Sequence, residues 1–152
     1  MQRLLPLGVA ALLLCPGAGR PDAPKPTPHE EFLRDYVKVL SDLADAFEAV
    51  KDKDTARAAA PKVVALAERL EALGKKVQKL DDPSKEEQKK LQDKYGKDLV
   101  KQVFRQAMAE ADAKKAAGDE PDFKKATLRL EKAQKSLRKG GRESQGYRTI
   151  NS

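Results

Sequence analysis

A chain of 152 residues with 39% apolar and 5% aromatic side chains, one Cys, one His and no Trp has the length of one domain and too little for two. The lone Cys forbids an intrachain disulfide, the lone His removes most acid–base and metal chemistry, and an apolar fraction rich in Ala predicts a thin helical core. Charged side chains make up 36% of the chain and leave a net charge of +7.

Met1-Gln2-Arg3 gives a short positive start, residues 4–14 an apolar run broken only by Pro6 and Gly8, and Gly17-Ala18-Gly19 the small residues of a cleavage site. That order predicts a secretory signal peptide over residues 1–19. Its apolar run is too short for about 30 Å of hydrocarbon, which takes about 20 residues. Leu12-Leu13-Leu14-Cys15 resembles a bacterial lipobox, with Leu14 standing where that pattern takes Gly, Ala or Ser. Cleavage after Gly19 discards Cys15; lipidation of Cys15 would anchor the chain to a membrane. Either route predicts an exported protein, periplasmic or extracellular. Residues 20–28 read as a Pro-rich linker, extended and polyproline-like.

Thr27-Pro28-His29-Glu30 predicts a helix start, with Thr27 as cap, Pro28 where no donor is needed and Glu30 completing a capping box. Phe32, Tyr36, Leu40, Leu43, Phe47 and Val50 then recur on one helical face. His29 is expected to be a solvated residue of this first turn. Asp54 is the expected cap of a second helix, in which Val63, Leu66, Leu70, Leu73, Val77 and Leu80 alternate as a heptad seam. Pro61 should kink that helix or mark its first turn. Asp81-Asp82-Pro83-Ser84 is a turn, and Ser84 with Glu87 predicts another capping box.

A third helix is expected from Lys85 to Ala117, with Leu91, Tyr95, Leu99, Val103, Ala107 and Ala111 as its core side and Gly118 as its end. A fourth, shorter helix should run from Pro121 to Lys139, closed by Gly140-Gly141 and followed by a flexible polar tail over 140–152. No stretch alternates as a strand. The expected fold is all-α, an up-down antiparallel bundle over residues 29–139, with three long helices and a shorter basic one at the C-terminus. The second helix's heptads also suit a homo-oligomer.

Residues 123–148 hold nine basic side chains against Glu131 and Glu143, whereas residues 1–122 hold 22 of each sign. The whole excess therefore lies in the fourth helix and tail. At about 100° per residue, Phe123, Ala126, Leu130 and Leu137 form an apolar stripe. The opposite side carries Leu128 and the candidate anionic-surface contacts Lys124, Lys125, Arg129, Lys132, Lys135, Arg138, Lys139 and Arg142. A basic amphipathic helix of this kind can lie on an anionic membrane or bind a polyanion, or can simply present a solvated face.

No catalytic residue, cofactor site or metal site emerges. A nucleophile–base–orienter set needs a His that the body lacks. There is no C-x-x-C-H for covalent haem and no pair of Glu-x-x-His motifs for di-iron. His29 and Met108 would stand roughly 36 Å apart along parallel helices rising 1.5 Å per residue. Carboxylates such as Asp42 with Asp45, or Glu86 with Glu87, could hold a loose divalent cation, and a charged solvent face accounts for them. Nucleic acid is disfavoured because Tyr147 is the one aromatic beside the basic residues.

The stretch FLRDYVKVLSDLADAFEAVKDKDTARAAAPKVVALAERLEAL, with the signal and Pro-rich linker before it, resembles uncharacterised exported helical proteins of planctomycete-type bacteria over residues 30–117. The resemblance implies location and fold, and no activity. Size, basicity and helical character are also similar to periplasmic holdase chaperones of the Skp kind, though no β-strand head is visible. The expected function is a non-enzymatic interaction or scaffold module at the cell envelope. The alternatives are surface or polyanion binding through the basic helix, and a holdase.

Overall fold

The computed structural model describes residues 25–143, so the expected signal peptide with Cys15, positions 20–24 of the expected linker and 144–152 of the expected tail lie outside the described residues. Four helices make up the described chain: α1 (Pro28–Glu48), α2 (Lys53–Val77), α3 (Lys85–Ala117) and α4 (Pro121–Glu143). Among the described residues there is no strand. The fourth helix is not the short one: it has 23 residues against 21 in α1. It also continues through Gly140-Gly141, because a Gly pair weakens a helix by about 1 kcal/mol per residue without forcing it to end.

Local chemistry explains the helix starts. Thr27 accepts the Glu30 N–H at 3.2 Å and Ser84 accepts the Glu87 N–H at 3.2 Å. Neither start closes the expected capping box, because Glu30 and Glu87 turn their carboxylates to other helices. The cap of α2 is Asp52 and not Asp54. Asp52 Oδ1 accepts the Thr55 N–H at 2.8 Å, and Thr55 Oγ1 accepts the Asp52 N–H at 3.0 Å, a reciprocal box that Asp54 has no residue to complete. Pro61 lies well past the first turn, and α2 runs unbroken through it. Gly118 closes α3 at φ +56°, a left-handed conformation that a Cβ disfavours.

The core follows the expected stripes in α1 and α2. Phe32, Leu40, Leu43, Phe47 and Val50 are buried, as are Val63, Leu66, Leu70, Leu73 and Val77. That seam of α2 packs within the chain's own core. α2 packs most extensively on α4, and α1 on α3, so the closest pairs are not sequence neighbours. Phe47 of α1 meets Phe123 of α4 edge-on, with ring centroids 6.0 Å apart, and links the two pairs.

The α3 stripe departs from expectation. Leu91 is buried and Tyr95 and Leu99 half-buried, but Val103, Ala107 and Ala111 are exposed. The core face of the later turns is Gln106, Ala109, Ala113 and Ala117. The expected residues are all four apart, and each such step overshoots a full turn by about 40° at 3.6 residues per turn. Five steps carry the series from the core round to solvent.

Candidate anionic-surface interface

α4 is held by its apolar side. Phe123, Ala126, Thr127, Leu130 and Ala133 are buried, and Leu137 packs partly buried against the same cluster. Gly74 of α2 lies against α4, where a Cβ would stand 3.7 Å from Leu137 Cα. The start of α4 is fixed by Glu120, whose side chain is only 1% exposed. One carboxylate oxygen accepts the Phe123 N–H at 2.6 Å and the other faces Arg57 Nε of α2 at 3.3 Å.

This docking decides which basic side chains are free to meet a partner. Arg129 is drawn to Glu68 of α2 at 2.9 Å and Arg138 lies close enough to Tyr36 of α1 to act on its hydroxyl, whereas Lys125, 3.9 Å from Asp122 of its own helix, stays 80% exposed. Burial raises the Tyr36 pKa above its ordinary value, the Arg138 charge opposing it. Lys124, Lys125, Lys132 and Lys135 are all exposed, with the exposed Leu128 among them. At about 100° per residue these five fall within an arc of about 100°, a lysine ladder around one leucine. The side chains of Lys139 and Arg142 lie outside the described part.

Several other charges pair between helices. Arg105 of α3 grips Glu48 of α1 with two bonds, of 2.6 and 2.7 Å, and reaches Asp45 at 2.7 Å. The guanidinium bonds hold the Glu48 carboxyl below its ordinary range, and the same bonds raise Arg105. Glu30 pairs with Lys94 and accepts from Tyr95 Oη at 3.1 Å. The Lys94 bond chiefly lowers the Glu30 pKa, with Tyr95 adding to it against partial desolvation.

His29 is buried and not solvated as expected. Its Nε2 lies 2.8 Å from the Asp81 carbonyl and its Nδ1 3.3 Å from Glu87 Oε1, because the first turn of α1 sits against the α2–α3 turn. Of the four carboxylates named as loose cation sites, Asp42 faces Arg69, Asp45 faces Arg105 and Glu87 faces His29. Among the described residues no group of three or more His, Cys, Asp or Glu is placed to hold a metal ion. A depression of about 190 Å³ between α1 and α2, lined by Asp35, Val39, Arg69, Ala72, Leu73 and Lys76, is below the usual size of a small-molecule site.

Sequence reasoning named the ladder residues and placed a helix start at Asp119-Glu120-Pro121, but gave Glu120 no role as the side chain that anchors the helix. Its signal was present: an acid directly before Pro121, three residues ahead of the first apolar position. No described helix is long and apolar enough to cross a membrane. What the described residues define is a class, the all-α four-helix protein. Comparison of the chain with protein-family models, with curated proteins and with solved structures returns no match.

Proposed function

We propose that this protein is a non-enzymatic interaction module of the cell envelope that engages an anionic surface through the outward side of α4. The observation that carries the reading is the docking of α4 by its apolar stripe, which leaves Lys124, Lys125, Lys132 and Lys135 together on the solvent side with Leu128. Each lysine near an anionic membrane adds about 1 kcal/mol of attraction, and the attraction is screened beyond a Debye length of about 8 Å at physiological salt. Leu128 adds an apolar tooth that can enter the headgroup boundary.

The signal-like residues 1–19 support an exported location, and the Pro-rich linker suits a tether if Cys15 carries lipid. The reading assumes an up-down run of helices. Glu30 with Lys94 and Glu48 with Arg105, at successive levels along α1 and α3, agree with that sense.

The test is co-sedimentation of the full chain with phosphatidylcholine vesicles, with and without phosphatidylglycerol, across a salt series. Binding is expected only with the anionic lipid and should fall steeply with salt. Changing Lys124, Lys132 and Lys135 together to Gln should weaken it on the order of 100-fold, from about 1 kcal/mol per lysine. Binding that ignores salt or survives those substitutions refutes the reading.

A further inference from the structure

The outward side of α3 carries four large apolar side chains in solvent: Val100, Val103, Phe104 and Met108, the last two each 67% exposed. Exposed Ala107 and Ala111 continue the patch. Val100, Phe104, Ala107 and Ala111 follow one another at steps of four, three and four, which is a heptad seam, and Val103 and Met108 flank it. The core-facing Ala109, Ala113 and Ala117 lie on the far side of the same helix. α3 is thus apolar on two opposite sides, and only one of them is covered within the chain.

We propose that this side of α3 pairs with α3 of a second copy of the chain, antiparallel, about a two-fold axis passing near Phe104. Charge selects this occupant and this direction. Up the helix from the apolar patch the same side presents Asp93 and Lys97, and below it Lys115, all exposed. A two-fold at Phe104 sets Val100 opposite the partner's Met108 and Asp93 opposite the partner's Lys115. A parallel pairing would set Asp93, Lys97 and Lys115 each against its own copy, like charge on like. The alanines at 107 and 111 let the two backbones approach closely.

Size sets the strength. Positions 93–115 span about 33 Å at 1.5 Å per residue, and a single helix face falls short of the roughly 800 Å² per partner of a standard interface. The dimer is therefore a weak, concentration-dependent one. This inference does not depend on the anionic-surface reading, since it uses a different helix.

Sedimentation equilibrium of the full chain from about 1 µM to about 1 mM covers the range of weak association. The mass should rise toward that of a dimer. Phe104→Glu should weaken association at least about tenfold, or 1.4 kcal/mol, while circular dichroism and the melting temperature stay unchanged, because this side chain lies outside the core. Asp93→Lys and Lys115→Asp should each weaken it, and the double charge swap should restore it. A chain that stays monomeric throughout overturns the proposal and leaves the patch to a partner of other chemistry. So does a dimer indifferent to Phe104→Glu, or a double swap that restores nothing.

Discussion

Replacing Glu120 by Ala removes the acceptor of the Phe123 N–H and the partner of Arg57 in one step. Loss of a helix cap costs about 1–2 kcal/mol. The Arg57 pair adds about 0.5–1 kcal/mol and no more, because Arg57 is 64% exposed and its charge is screened by solvent. The sum is about 1.5–3 kcal/mol. For a folded unit on the order of 120 residues each kcal/mol moves the melting temperature by about 4 °C, so a fall of about 6–12 °C is expected. Glu120→Gln keeps an oxygen for the Phe123 N–H but makes the bond a neutral one, about half as strong, and gives up the ion pair. It should fall roughly half as far. Asp119→Ala, at the exposed position next door, should lie within about 0.5 kcal/mol of the parent. Thermal melts followed at 222 nm separate the three variants. An Ala variant within about 2 °C of the parent, or Gln and Ala variants that melt together, refutes the capping argument.

Gly74→Ala should stabilise the fold by about 0.5–1 kcal/mol, because the added Cβ meets Leu137 at ordinary contact distance; a lowered urea midpoint would show that α2 and α4 cannot accept even a methyl group. Gly118→Ala should instead cost about 1 kcal/mol, since a Cβ opposes the positive φ there. Leu70→Ala should cost about 2–5 kcal/mol in the same urea titration, the residue being fully buried. Glu30, Glu48 and Asp52 all have carboxyls held below their ordinary values of 4.5, 4.5 and 3.8. The folded state then binds fewer protons than the unfolded one. Their contribution is complete above about pH 5 and is lost as pH falls through the lowered values. A urea midpoint as high at pH 3 as at pH 7 would contradict that sign.

Where the sequence could be read, a short-range rule was at work. Thr27, Ser84, Gly118 and the bounds of α3 follow from contacts within four residues, and the stripes of α1, α2 and α4 mix steps of three with steps of four or of a full heptad, which stay on one face. α3 resisted because it is apolar on both sides, so periodicity has two answers and tertiary packing chooses between them. His29 and Glu87, and Glu30 with Lys94, were illegible for a different reason. Their partners stand more than 50 positions away in sequence, and nothing local records which turn a first turn will meet. The lysine ladder lies between these cases. Its residues could be named from charge alone, but Arg129 and Arg138 leave it only once α2 and α1 are in place.

The pairing of α2 with α4 also bears on how the chain is made. During synthesis α2 emerges long before α4, the helix it packs on most extensively, so part of its apolar side waits uncovered until α4 has left the ribosome. A hairpin of α1 and α2 alone leaves that side bare, so folding belongs to the finished chain more than to the growing one. A polypeptide halted before α4 would present an apolar helix face to proteases and aggregation partners. An unfolded interval of this kind would suit the exported location proposed above, since export threads a chain through a membrane before it folds.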